Sequence, residues 1–309
     1  MEEQQYLDLV KEVLNQSSRE SRNGFVYSSF GPQHIFDLQN GFPLLTTKKM
    51  FLRGIIEELL FFLKGQTQTK ILEEKGIKIW RENTSNDFLE SRNLNYEEGE
   101  MGPMYGYNWR YFGKPFSFSP PFFSPSFFSP CEKGGEEKKN GIDQLKNLIE
   151  GLINDPYSRR HLLTTYDPLT VDQCVLMPCH GIVTQFYVEE EKVLHCKTYQ
   201  RSADIALGYP FNIASYALLL KIIAKACGFK AGKLIITLGD VHIYENHVEG
   251  LREQIKRTPS PFPKIKIMKK NNEKKNVEEI LKYIESLVFE DFKLRDYYFN
   301  SFIKFVMNV

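Results

Sequence analysis

The chain reads as an α+β fold, a single domain in which a mixed β-sheet packs against helices. Three observations predict it. Of its 309 residues, 42% are hydrophobic and 26% charged, close to globular averages, so a sizeable core can form and wholesale disorder is excluded. Helix-period and strand-period segments alternate without a regular βαβ rhythm. No glycine-rich phosphate loop follows any strand, which disfavours a doubly wound architecture. At ~100–200 residues per domain, this length allows one large domain or two ordinary ones.

Each element has its own signal. Tyr6, Leu9, Val10, Val13 and Leu14 recur at helical spacing and predict a short opening helix. The polar residues 17–24 predict a surface loop. Phe51 to Lys64 is helical again, and its run Ile55-Ile56-Glu57-Glu58-Leu59-Leu60-Phe61-Phe62 is apolar on nearly every side, as in a buried helix. Consecutive helical residues point about 100° apart, so at least one of Glu57 and Glu58 faces inward. Residues 114–131 hold 6 Phe, 5 Pro and 5 Ser. Prolines this dense forbid helix and central strand, and with the Glu/Lys/Gly tail to Gly141 they read as a low-complexity insertion at about 114–141. Ile142, Leu145, Leu148, Ile149, Leu152 and Ile153 form one helical face, stopped by Asp155-Pro156. Strands are expected at His161–Tyr166, Gly181–Val188, Val193–Tyr199 and Leu234–Leu238, with a last one at Phe302–Val306. Asn212–Cys227 reads as a long buried helix ended by Gly228, and residues 269–279 as a solvated loop.

Forty Lys plus Arg against 39 Asp plus Glu leave a net charge of +1. No basic excess points to nucleic acid or an anionic membrane, although a neutral total can hide a local patch. The apolar runs, such as Leu59–Leu63, fall short of the ~20 residues a membrane span needs. The start Met1-Glu2-Glu3-Gln4 lacks the features of a secretory signal. Five cysteines (131, 174, 179, 196 and 227) form no CxxC pair, and the odd count argues against a disulfide framework. A soluble protein of a reducing compartment is expected, cytoplasmic with a nuclear site left open. No metal site is expected, since no second Cys or His stands at ligand spacing from Cys179.

Cys179, in Met177-Pro178-Cys179-His180, is either a buried structural cysteine or a nucleophile. A Cys–His dyad with its neighbour is disfavoured, because successive residues of an extended chain point to opposite faces. A reactive thiolate here needs a nearby cation instead. Arg159-Arg160 and Arg201-Ser202 offer charge-assisted donors for a phosphate, or are solvated surface charges. His242 and Tyr244 lie two apart on extended backbone, hence on one face, where they could read a sugar hydroxyl.

Gly41-Phe42-Pro43-Leu44-Leu45-Thr46-Thr47-Lys48-Lys49, Glu58-Leu59-Leu60, Gly102-Pro103-Met104-Tyr105-Gly106, Pro178-Cys179-His180, Gln200-Arg201-Ser202-Ala203-Asp204, Gly208-Tyr209-Pro210-Phe211-Asn212-Ile213 and Gly239-Asp240-Val241-His242-Ile243-Tyr244 occur in that order. Together they closely resemble the thymidylate synthase family, from about residue 20 to the C-terminus apart from the insertion. The resemblance implies a catalytic domain over 1–309 and a sheet-to-sheet homodimer. It also implies reductive methylation of dUMP to dTMP, with 5,10-methylenetetrahydrofolate as cosubstrate and dihydrofolate as product. By position Cys179 resembles the nucleophile that adds to uracil C6, and Asn212 the reader of uracil O4 and N3–H. Glu58 resembles the carboxylate that organises proton transfer through water, Tyr105 the tyrosine of C5 deprotonation, and His180 a member of that network. Gln200, Arg201 and Ser202 match the dUMP segment, and Arg159 and Arg160 the pair lent across the dimer interface to the neighbour's phosphate. His242 and Tyr244 match the ribose-hydroxyl pair. Ile79, Trp80, Asn83, Asp204, Leu207, Gly208 and Phe211 match the folate site, with Asp204 also in the catalytic set, and Lys48 a position near the folate's glutamate tail.

Four departures stand out. Arg22, in Ser21-Arg22-Asn23-Gly24, is a shifted substitute for the family's phosphate-loop arginine. Phe61 stands where Trp is common, and Arg81 replaces the usual Asp after Trp80. The tail Met307-Asn308-Val309, expected to close over folate, carries Asn308 in place of Ala. Two other functions compete: a deoxyuridylate hydroxymethyltransferase on the same fold, and a non-catalytic homologue acting as a binding protein.

Overall fold

A computed structural model describes residues 2–116, 141–271 and 276–308. In chain order these form α1 (Gln4–Leu14), β1 (Ser18–Ser21), β2 (Gly24–Phe30), β3 (Gln33–Asp37) and α2 (Leu52–Leu63). Three short helices follow, α3 (Lys70–Glu73), α4 (Asn86–Ser91) and α5 (Gly106–Tyr111), then α6 (Gln144–Asn154). The second half holds β4 (Leu162–Leu163), β5 (Thr184–Glu189), β6 (Val193–Asp204), α7 (Gly208–Cys227), β7 (Lys230–Tyr244), α8 (Val248–Gln254), β8 (Lys264–Ile267), α9 (Val277–Glu285) and β9 (Phe292–Arg295).

β7 organises a seven-stranded mixed sheet of order β1-β2-β7-β6-β5-β4. On one side it runs parallel to β6, from Val193 beside Lys230 to Asp204 beside His242. On the other side two strands share it: β3 pairs with Lys233–Thr237 and β2 with Asp240–Tyr244, both antiparallel. The break falls at Gly31-Pro32, because proline has no N–H for a ladder. Gly31 adopts φ 89° and its N–H donates to Gly239 O at 3.1 Å, while Pro32 O accepts from Leu238 N at 2.9 Å. A Cβ on Gly239 would lie 2.5 Å from Arg201 O, so glycine allows the two central strands to approach here.

α7 covers this sheet. Of its 20 residues 15 are buried, and Gly228 at φ 79° closes it with an N–H donated to Ala224 O. By length and composition α7 could cross a membrane, but here it is the core helix of the β6–α7–β7 unit. α2 is buried on nine of its 12 residues and packs on α5 and α7. Gly106 sits against the Phe62 backbone, where a side chain would clash, so α5 can seat Tyr105 deeply.

Several expectations need correction. Residues 17–24 form the β1–β2 hairpin, not a loop, because β2 finds the free edge of β7. Of His161–Tyr166 only Leu162–Leu163 pairs as strand. Ile142 bridges to Phe112 ahead of α6, and Ile142 and Ile153 are exposed, so the buried face is Leu145, Leu148, Ile149 and Leu152. α7 begins four residues early, at Gly208, with Pro210 in the first turn, where its missing N–H costs nothing. β6 and β7 outrun their apolar cores, to Asp204 and Tyr244. α9 starts at Val277, inside the expected loop, with Asn276 accepting from Glu279 N. Phe302–Val306 is no strand, and Phe305 instead lies against Gly250. The insertion, Cys131 and Val309 lie outside the described residues, apart from residues 114–116 and 141.

One buried carboxylate ties three parts of the chain. Glu3 accepts from Thr46 N (2.8 Å), Thr46 Oγ1 (2.6 Å), Thr47 N (2.9 Å) and Thr47 Oγ1 (2.6 Å). Gln254 of α8 donates to Thr47 Oγ1 at 2.9 Å, and Asn300 N to Thr46 O at 2.7 Å. Glu3→Ala strands two buried backbone donors, each costing ~1–3 kcal/mol. Urea unfolding should show a loss of about 2–4 kcal/mol, whereas an unchanged midpoint would show that water replaces the carboxylate.

Candidate active site

The C-terminal ends of β6 and β7 open into a cavity of about 840 Å³. Its wall includes Arg22, Asn23, Trp80, Asn83, Tyr105, Cys179, Arg201, Ser202, Met307 and Asn308. A smaller pocket of about 240 Å³ adjoins it, sharing Arg22, Asn23, Arg201 and Ser202 and adding Arg19, Asp240, His242 and Tyr244. Thus the structure brings eleven of the 23 site residues singled out from sequence into one continuous space.

Cys179 leads into the sheet by a short loop, and its carbonyl accepts from Ser202 N at 3.3 Å. Its Sγ lies 3.4 Å from Tyr105 Oη, and that hydroxyl also accepts from Cys179 N at 3.2 Å. Burial pushes the thiol pKa up, opposed by the Tyr105 hydrogen bond and the Arg201 charge. Arg201 itself grips the preceding loop, with Nε donating to Pro178 O (3.3 Å) and Nη2 to Met177 O (3.4 Å). The required cation is therefore present and comes from β6. Tyr105 holds φ 32°, a strained value for a bulky residue.

His180 does not serve the thiol. Its ring stacks on Tyr105 at 4.3 Å and 14°, its Nδ1 lies 2.9 Å from Tyr216 Oη, and burial depresses its pKa to about 3. It is a neutral ring that braces Tyr105. Of the inward-facing carboxylates, Glu57 pairs with Lys75 at 2.7 Å. Glu58 accepts from Trp80 Nε1 at 2.7 Å, and burial raises its pKa to about 7 although the indole bond pulls the other way.

Other predicted residues stand behind the wall. Asn212 is buried in the first turn of α7, and its amide has no protein partner among the described residues. Asp204 orders the connection that leads into α7, accepting from Ala206 N (2.8 Å) and Leu207 N (3.2 Å). Gln200 is buried and donates to Ser202 O at 3.0 Å. Ile79, Leu207, Gly208 and Phe211 are half-buried, with Leu207 to Phe211 at the start of α7. Lys48 is not at the mouth: its ammonium is buried, bonds Ala206 O, lies 4.8 Å from the Phe305 ring, and has its pKa lowered by burial to about 7. Arg81 turns away to an ion pair with Glu73. Arg159 and Arg160 are exposed between α6 and β4, without an ion pair among the described residues.

Sequence reasoning missed Arg19, Phe88, Arg92, Leu176 and Asp240 as wall residues. Arg19 could have been found from its spacing to Arg22 across a turn; α4 gave no signal. Among the described residues, no group of three or more His, Cys, Asp or Glu could hold a metal.

The raised Glu58 pKa sets a stability trend. Between the ordinary 4.5 and about 7 the folded state binds the proton that the unfolded chain releases, so wild-type stability falls as pH rises through that window. Glu58→Gln keeps the Trp80 bond and removes the effect. The variant should gain on wild type from pH 4.5 to 7 and match it below; parallel urea midpoints across that range would refute the assignment.

The family description Thymidylate synthase matches residues 4–309. The chain is 41% identical over 311 residues to a bifunctional dihydrofolate reductase-thymidylate synthase of Paramecium tetraurelia, covering 100% of this chain and 62% of that protein. A bifunctional protein of Zea mays is 42% identical over 299 residues, with 96% of this chain and 52% of the relative covered. The chain thus spans between half and two thirds of these two-activity relatives. Thymidylate synthase of Saccharomyces cerevisiae is 41% identical over 321 residues, covering 100% of this chain and 97% of that one. With this match over full length, the chain belongs to the thymidylate synthase family.

Proposed function

We propose that the chain converts dUMP to dTMP, taking the one-carbon unit and the reducing hydride from 5,10-methylenetetrahydrofolate and releasing dihydrofolate. The observation that carries this is the Cys179–Tyr105–Arg201 cluster, opening onto a cavity with an indole wall and an adjoining arginine-rich pocket. The phosphate suits Arg22, Arg201 and Ser202, since guanidinium and hydroxyl donors meet its oxygens. The cavity volume suits a nucleotide with a flat heterocycle against Trp80.

The chain's own groups then divide the work. Cys179 Sγ adds to C6 of the base, and Arg201 favours its thiolate. Asn212, unpaired among the described residues, can donate to O4 and accept from N3–H; cytosine presents the opposite pattern. Tyr105 Oη, within reach of Sγ, hydrogen-bonds the water that takes up the C5 proton, and Glu58, titrating near 7, relays that proton onward. Trp80 and Met307 exclude water while the cosubstrate delivers hydride.

A homodimer with Arg159 and Arg160 lent to the partner's phosphate belongs to the same reading. Their exposure and lack of an ion pair support it, as do exposed Leu162 and Tyr187 on the neighbouring strands. A reducing, cytoplasmic setting agrees with four unpaired cysteines, 174, 179, 196 and 227.

Cys179→Ala should abolish turnover with fold and oligomer intact, and 5-fluoro-dUMP with the folate should trap a covalent adduct on Cys179. A mass-mapped adduct on Cys174 or Cys196 would sink the assignment. Identifying the product by mass separates thymidylate from hydroxymethyldeoxyuridylate, and no product at all indicates a binding protein. Mixing inactive Cys179→Ala with inactive Arg160→Ala should restore up to about a quarter of wild-type activity, because each mixed dimer keeps one complete site. No recovery after subunit exchange would exclude a shared site.

A further inference from the structure

Asp240 lies between the two cationic parts of the small pocket. It shares one face of β7 with His242, two residues on, and its Oδ1 is 3.0 Å from His242 Nδ1. Its other oxygen pairs with Arg19 of β1, whose Nε donates to Ser28 Oγ at 2.8 Å. Ser28 stands opposite His242 in the β2–β7 ladder. Arg19 is thus anchored at two points and holds the carboxylate so that one oxygen remains for the imidazole.

We propose that Asp240, clamped by Arg19, is the positioning residue that keeps His242 in its Nδ1–H tautomer, so that Nε2 meets the substrate's sugar as a hydrogen-bond acceptor. A carboxylate only accepts, so the Nδ1 facing it carries the hydrogen, and a ring with that single hydrogen leaves a lone pair on Nε2. Tyr244, edge-on at 5.1 Å and 79°, packs beside the ring. The proposal rests on dUMP as substrate. That nucleotide has one free sugar hydroxyl, at C3′, because C2′ bears none and O5′ carries the phosphate. A lone pair at Nε2 selects for a hydroxyl that can donate there. Because Arg19 and Arg22 share the β1–β2 hairpin, the same clamp fixes the sugar reader relative to the phosphate end.

Calorimetric binding of dUMP and 2′,3′-dideoxyuridine 5′-monophosphate, with 15N NMR of His242 in the free protein, tests this. Wild type should prefer dUMP by about tenfold, the worth of one hydrogen bond that would otherwise be left unmade. Asp240→Ala should erase the preference by weakening dUMP alone, and the NMR signal of Nε2 should move from unprotonated to protonated. Asp240→Asn, whose amide oxygen still accepts, should retain most of the preference, and Arg19→Met only part of it. Equal weakening of both nucleotides by Asp240→Ala, or a wild-type ring with its hydrogen on Nε2, overturns the proposal. If wild type binds neither nucleotide, the dUMP reading fails, and the tautomer of the free protein still decides the Asp240 assignment.

Discussion

Two long strands running the same way, β6 and β7, govern what the rest of the chain can do. Their parallel register sets Ser202 beside Asp240 and Asp204 beside His242, although these pairs are 38 residues apart in sequence. A parallel pair needs a crossover, and α7 supplies it with 20 residues of almost continuous apolar surface. Only three residues separate the end of β6 from α7, so Asn212 in the first turn must lie near the carboxyl ends of both strands. Ligands of such sheets bind outside those carboxyl ends. The site therefore follows from one hydrogen-bonded register and one short connection.

The electrostatics follow from the same arrangement. The whole chain carries a net charge of +1, yet Arg22, Arg92 and Arg201 line the large cavity with no carboxylate on its wall. The basic field is made by folding, from strands and loops whose balancing acids face elsewhere: Glu73 takes Arg81, and Glu57 takes Lys75. Beneath this charged rim burial shifts each polar group toward its uncharged form. Burial keeps His180 deprotonated and Glu58 close to half-protonated near pH 7, and raises the Tyr105 phenol. Cationic donors bind an anion best where nothing else competes, and proton relays work best near their own pKa.

Legibility in the sequence tracked how local each cause was. The buried helices α2 and α7 were readable because periodicity and a closing glycine act within a few residues. The helix-facing carboxylate was expected from 100° geometry alone, and both Glu57 and Glu58 turned inward to separate partners. The ring of His180 faces Tyr216 rather than the Cys179 thiol, as alternation along an extended chain predicts. What escaped was non-local. Residues 17–24 look like a polar loop because β1 pairs with β2 alone, and β2 in turn pairs with β7, over 200 residues away. Arg19 and Asp240 meet only through that hairpin. Ordered motifs supplied most of the candidate residues by resemblance, but no motif showed Lys48 enclosed under Phe305.

The C-terminal tail shows how a departure from the family pattern can be absorbed. A polar residue at 308 runs against the apolar character expected of a segment that keeps water from the reacting base. In the structure its side-chain amide is engaged in both directions with Asn246, donating and accepting at 3.2 Å. Asn246 follows Tyr244 closely, and the next residue, His247, holds Val306 O at 2.7 Å. Phe305 packs on His247 at 5.2 Å and covers Lys48. Three successive contacts thus lay the tail along the segment that follows β7. Amide groups satisfied by each other demand less water than a free one. The polarity of Asn308 therefore adds a tie between the tail and the β7 end of the site, while Met307 keeps an apolar group on the cavity wall.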